Sequence, residues 1–336
     1  MKSIGKAVKR LISFDEASLI MALLVIVIVL SLISPFFLTT RNIMNVLRQS
    51  SITLIAGIGM TIVLLLGEVD LSIGSLSAFV AIFTVRTLNF TGSIVAAALV
   101  AIAIGILAGL LNAFIVTRFE INSLIVTLGM LSVYRGIGYI ITDAIAVQNN
   151  VPSFTVLGTG HLGTIPIPVL VAFIVFGVFY FILNYTTLGR YIYATGGNEK
   201  AAIASGINVK KIKTIGFVTC STLAALSALI LTSRVNSGQP NLGEGFEFIV
   251  IAATILGGTS LNGGQGSLIG TLTGILILGV LENGMILMDV SSFYQKVVSG
   301  AVIIVAVIID KKRMARRERV RKVDAVSIPS TNEISK

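Results

Sequence analysis

An all-α, polytopic membrane protein of about ten transmembrane helices is the fold this sequence predicts, and three observations carry the prediction. The 336 residues are 55% hydrophobic and only 12% charged, about half the roughly 25% charged residues of a soluble domain. Apolar runs long enough to cross a bilayer as helices, about 17–25 residues, recur from one end of the chain to the other. The 25 Lys and Arg residues gather at the boundaries of these runs, so the net charge of +10 points to membrane topology and not to nucleic acid.

Residues 1–16 carry Lys2, Lys6, Lys9 and Arg10 and form a short N-terminal segment. The apolar run 17–34 is long for a signal peptide and lacks a clear small-residue cleavage site, so it is read as the first span. Spans are expected at 17–37, 49–67, 71–88, 93–116, 122–142, 165–184, 212–233, 246–260, 267–288 and 293–309. The third and eighth are poor spans beside Gly-rich polar patches, which predicts broken or re-entrant helices. With an even count both termini share one side with Arg118, the 185–213 loop and the basic tail at 311–336. That side holds most of the Lys and Arg and is therefore cytoplasmic.

Several chemistries are excluded. A single cysteine, Cys220, allows no intrachain disulfide. One histidine, His161, and one cysteine do not make a zinc site. No GxxxxGK[ST] phosphate loop is present, so the chain is not expected to hydrolyse ATP itself. Gly158, Gly160 and Gly163 match GxGxxG, but Pro166 and Pro168 follow where a nucleotide-binding helix would start; the outer loop 143–164 is read as flexible. No room remains for a catalytic soluble domain, and no nucleophile–base set appears.

A faint internal repeat relates residues 65–74 (LLGEVDLSIG) to 255–264 (ILGGTSLNGG), 190 residues further on, so the chain is expected to hold two related halves. In the first copy, Glu68 and Asp70 stand beside Ser72 and Gly74. A charge at bilayer depth costs about 2.5–3.5 kcal/mol, so these two carboxylates do not face lipid. They either line a polar solute path or sit in a surface loop, where Asp70 also serves as a helix cap. The second copy runs on to Gly266 and either exposes backbone to a solute or makes a tight cytoplasmic turn. Gly266, Gly270 and Gly274 form a stripe for close helix packing. Arg135, Asp143, Glu282, Asp289 and Lys296 are assigned to interior ion pairs or span ends. Gln239, Asn241, Glu244 and Glu247 are assigned to a solvated outer loop.

The longest polar segment between spans is 189–213, GRYIYATGGNEKAAIASGINVKKIK. It predicts a short helix with its own punctuation: Asn198 as N-cap, Glu199 in the first turn, Ala202 and its neighbours as helix formers, Gly206 as the stop. A helix about 10 Å long cannot organise a domain, but it fits a cleft on a partner.

The segment LGRYIYATGGNEKAAIASGINVKKIK, together with ILGGTSLNGGQG and GEVDLSIG, resembles the permease subunits of bacterial ABC sugar importers of the ribose, xylose and arabinose type. The resemblance covers about residues 19–312. It implies a permease domain over 17–310 in the cytoplasmic (inner) membrane, with 185–213 as its coupling loop. It implies four partners: an ATPase with two fused nucleotide-binding domains, an extracytoplasmic sugar-binding protein, a second permease chain and the lipid membrane. It implies no cofactor on this chain, ATP being used by the ATPase. Gly197, Asn198, Glu199, Ala202, Ser205 and Gly206 would form the coupling helix; Glu68, Asp70, Ser72 and Gly74 are the path candidates on the reading of the residues themselves. Glu68 departs from the family pattern G-G-I-D-L-S-V-G, which has glycine there. An ion-coupled secondary transporter for a small polar solute is the alternative.

Overall fold

The computed structural model describes residues 14–291, 293–302, 304–305, 307–308 and 311. The basic N-terminal residues Lys2 to Arg10 and the tail beyond 311 lie outside the described residues.

Helices lie in the first nine expected stretches, and the described residues of the tenth are helical as well. They are α1 (Phe14–Ile33), α2 (Thr40–Leu65), α3 (Ile73–Thr91), α4 (Ile94–Phe119), α5 (Ser123–Thr142), α6 (Ile167–Tyr185), α7 (Thr187–Gly197), α8 (Glu199–Ala204), α9 (Val209–Val235), α10 (Phe246–Leu256) and α11 (Leu268–Leu287). Residues 293–302 are also helical. Among the described residues seven helices, α2 to α6, α9 and α11, are long and apolar enough to cross a membrane; the apolar part of α1 (Ala17–Ile33) and α10 are shorter.

The helices form an inner group and an outer group. Most of the apolar stretch of α2 is buried, whereas most of that of α6 is not. Helix α9 packs against α2, α3 and α4, while α11 packs against α1, α2 and α10. Outward-facing Phe114, Ile140, Phe173 and Ile174 are exposed, as expected of side chains that meet hydrocarbon rather than water. Close approach of the inner helices uses glycine. A Cβ on Gly59 would stand 2.7 Å from the Cα of Cys220, and one on Gly109 would stand 2.5 Å from the Cα of Val218.

Three readings need correction. The outer loop 143–164 is folded, not loose: Val147–Gln148 pairs antiparallel with Ser237–Gly238, and His161–Leu162 pairs with Ile165–Pro166. Phe154 is fully buried, and Gly158 sits so close to α9 that a Cβ would lie 2.4 Å from the Arg234 nitrogen. The segment 236–245 is only in part a solvated outer loop: Asn241 and Glu244 are exposed, as expected, but much of the rest is packed. It descends along α3, where Arg135 Nη1 donates to the carbonyls of Pro240 at 2.7 Å and Leu242 at 3.0 Å. Glu247, at the start of α10, is buried. Finally, where interior ion pairs or span-end positions were expected for Arg135 and Glu282, the structure shows neutral partners: Arg135 binds these carbonyls, and Glu282 accepts from Gln49 Nε2 at 3.1 Å.

Candidate functional site

The three motifs singled out in the sequence meet at one end of the bundle. Helix α2 stops at Gly67, where the Gly67 N–H bonds Leu64 O at 2.9 Å and the Glu68 N–H bonds Val63 O at 3.1 Å. Helix α10 stops the same way, with Gly258 N–H on Ile255 O at 2.8 Å and Thr259 N–H on Thr254 O at 3.2 Å. Both are the double-bonded glycine stop that satisfies terminal carbonyls. The geometry therefore matches Gly67 to Gly258, a 191-residue spacing that is one more than the sequence alignment implied. The two turns then touch: Gly264 N–H donates to Leu65 O at 2.8 Å.

The third motif closes the junction. A Cβ on Gly196, near the end of α7, would fall 1.8 Å from Leu65 O and 2.7 Å from the Gly264 nitrogen. Tyr193 Oη donates to Gly266 O at 2.9 Å. Only hydrogen at these positions lets three backbones cross. Of the two readings of 257–266, the structure has the tight turn. The glycine stripe beyond it packs as expected, since a Cβ on Gly270 would meet Gly257 O at 1.9 Å and one on Gly274 would meet Ala253 O at 2.1 Å.

Helix α8 projects from this junction. The Asn198 side chain accepts from the Ala201 N–H at 3.0 Å. Gly206 has φ +81°, which a residue with a side chain rarely adopts. Its N–H bonds Ile203 O at 2.9 Å, and the Ile207 N–H bonds Ala202 O at 3.0 Å. The Ser205 hydroxyl donates to Ala201 O at 2.9 Å. A six-residue helix held by caps at both ends needs little packing, and α8 has little: Ala202 is buried, while Gly197, Asn198, Glu199, Ser205 and Gly206 are exposed. Ile203 is 58% exposed, an apolar side chain on a polar projection.

The four path candidates separate. Glu68 lines a cleft of about 800 Å³ together with Val116, Glu120, Glu199, Ile203 and Lys213. Its carboxylate lies 2.8 Å from Lys213 Nζ. Asp70 and Ser72 are fully buried and do not line this cleft. Asp70 Oδ1 accepts from the Ser72 N–H at 2.9 Å and from its hydroxyl at 2.6 Å. Its other oxygen accepts from the Ser221 hydroxyl at 3.3 Å and from Asn112 Nδ2 at 3.4 Å. Asp70 thus ties the turn before α3 to α4 and α9; it is not the helix cap expected from the sequence, because Ser72 holds the N-cap position of α3 and Asp70 bonds Ser72 rather than the first turn. Gly74 is buried against the turn before α10, where a Cβ would lie 2.6 Å from Gly243 O.

Lys213, Asn112, Ser221 and Gly196 were not singled out as site residues. Asn112 carried a signal, being a lone amide in the apolar stretch of α4. Lys213 and Ser221 carried none beyond composition, because their partners are distant in sequence.

Residues 42–307 match the family model described as "Branched-chain amino acid transport system / permease component". The chain belongs to this permease family. The permease is 42% identical over 303 residues to the ribose import permease protein RbsC of Escherichia coli (strain K12), covering 89% of this chain and 94% of that one. It is 40% identical over 297 residues to the Bacillus subtilis (strain 168) protein of the same name, covering 88% and 92%. It is 38% identical over 316 residues to the L-arabinose ABC transporter permease protein AraH of Azospirillum brasilense, covering 91% of each. No solved structure matches it. The permease is a multi-pass membrane protein and a transport subunit, not an enzyme, and its matched region contains all three turns of the junction.

Proposed function

We propose that the permease is the membrane subunit of an ATP-driven importer for a monosaccharide, ribose or a close relative, and that α8 is where the ATPase docks. The observation that carries this reading is α8 itself: capped at both ends, exposed on all but one buried residue, and rooted in a junction where α2, α7 and α10 meet. Gly197, Asn198, Glu199, Ala202, Ser205 and Gly206 are its structural set. The sugar comes from the printed names of the relatives, which are ribose and arabinose permeases.

The mechanism is alternating access between two permease chains. An ATPase with two fused nucleotide-binding domains moves α8, an extracytoplasmic binding protein presents the sugar, and the permease adds no cofactor. Both termini and α8 lie on the cytoplasmic side. Glu68 stands at the cytoplasmic mouth of the path, and Asp70, Ser72 and Gly74 build the wall behind it.

The test is co-purification of tagged permease from native membranes, then labelled sugar uptake and ATP hydrolysis in proteoliposomes. An associated ATPase whose hydrolysis drives D-ribose uptake supports the reading. Uptake that follows an ion gradient with no ATPase bound overturns it in favour of a secondary transporter.

A further inference from the structure

Lys213 stands between two carboxylates that belong to different parts of the molecule. Its Nζ is 3.0 Å from Glu199 Oε2 on α8 and 2.8 Å from Glu68 Oε1 on the turn between α2 and α3. The Lys213 side chain is 15% exposed and that of Glu68 12%, while Glu199 is 50% exposed. An ammonium offers three donors, so it can hold both oxygens at once without a water. The nearby pair Lys210–Glu120, at 3.1 Å, is 63% and 77% exposed; solvent screens it, and such pairs contribute little.

The bridge has a direction. Helix α8 meets the rest of the permease through few side chains: Ala202 is buried under it, and Glu199 reaches Lys213. On the far side of Lys213, Glu68 directly follows Gly67, the stop of α2, and stands two residues before Asp70. Asp70 in turn holds Ser72 at the head of α3, Asn112 on α4 and Ser221 on α9. Without the ammonium, two carboxylates would face each other across the cleft with nothing between them, and like charges held at close range repel.

We propose that Lys213 is a positioning residue for coupling. By holding Glu199 and Glu68 on one ammonium, it makes a displacement of α8 a displacement of the α2–α3 turn and of the helices knotted at Asp70. This rests on the reading of α8 as the ATPase dock.

The experiment reconstitutes the complete complex, with its ATPase and binding protein, in proteoliposomes. It measures sugar imported per ATP hydrolysed, with a labelled mixture of D-ribose, D-xylose and L-arabinose as probe. Lys213→Met keeps the stem and removes the charge. It is expected to leave ATP hydrolysis within about two-fold of the unaltered complex and to lower the import-to-hydrolysis ratio at least about five-fold. Lys213→Arg is expected to restore the ratio to within about two-fold, and Lys210→Met to leave it unchanged. Glu68→Gln, which keeps the Lys213–Glu199 contact, gives a smaller loss and serves if Lys213→Met does not fold. An unchanged ratio in both Lys213→Met and Glu68→Gln overturns the inference. So does a parallel loss of hydrolysis and import, the mark of a structural role. If the unaltered permease recruits no ATPase at all, the docking role of α8 fails, and the inference falls with it for that separate reason.

Discussion

Gly196 and Leu65, 131 positions apart, share a space that holds no side chain: a Cβ on Gly196 would stand 1.8 Å from the Leu65 carbonyl oxygen. That oxygen already accepts the Gly264 N–H at 2.8 Å, so it cannot move aside without breaking the bond that joins the two turns. The end of α7, the end of α2 and the turn after α10 are therefore one mechanical unit.

Gly196→Ala is accordingly expected to destabilise the permease by about 1–3 kcal/mol or more, the range for overpacking a close contact. Gly197→Ala, where a Cβ meets nothing within 4 Å, should stay within about 0.5 kcal/mol of the unaltered protein. Thermal unfolding of the two purified variants in the same detergent checks this. Equal midpoints would remove the junction from the argument.

Asp70 is expected to matter through its acceptors. Asp70→Ala leaves the Ser72 and Ser221 hydroxyls without the oxygens they now bind, at about 1–3 kcal/mol for each buried group left unpaired, while Asn112 Nδ2 keeps Ser72 Oγ at 3.0 Å. Asp70→Asn keeps one acceptor oxygen and should fall between Ala and the unaltered protein in both midpoint and uptake. An Asn variant as damaged as Ala would instead assign Asp70 a role for its charge.

Proline placement separates the two ends of α8. Glu199 is the first helical residue, where proline is tolerated, and Asn198 before it is extended at φ −161° and ψ 100°, outside the α region that a following proline disfavours. Glu199→Pro should therefore keep the helix and lose only the Lys213 contact. Ala202→Pro removes the N–H that bonds Asn198 O at 2.9 Å and disturbs a buried site, so ATPase capture should be abolished. Pull-down of the ATPase with each variant reads the difference; equal capture by both would mean that α8 is not the dock.

Ile203 offers an apolar anchor on an otherwise polar projection. Ile203→Asp should weaken ATPase capture at least about ten-fold, as loss of a central interface side chain does, while the unfolding midpoint stays unchanged because Ile203 is exposed. A titration of ATPase against immobilised permease measures it. Unaltered affinity would move the dock to another surface.

Much of this protein is written locally. The membrane class follows from apolar runs that no soluble core would need, and the described residues of the expected stretches lie in helices because each run satisfies its own backbone bonds. The bounds of α8 were legible for the same reason: Asn198 and Gly206 act within three or four residues of themselves. Tertiary structure alone decided what those pieces do to one another. The segment 236–245 reads as a solvated loop because it is polar, yet the Arg135 guanidinium satisfies its carbonyls from α5 and lets it descend along α3. Glu68 reads equally well as a path residue or a surface charge until Lys213, 145 positions away, comes within 2.8 Å. Hydrogen bonds inside a helix are set by neighbours in sequence. Crossings of backbones at Gly67, Gly196 and Gly264, and the sharing of one ammonium by two carboxylates, exist only once the chain has folded back on itself.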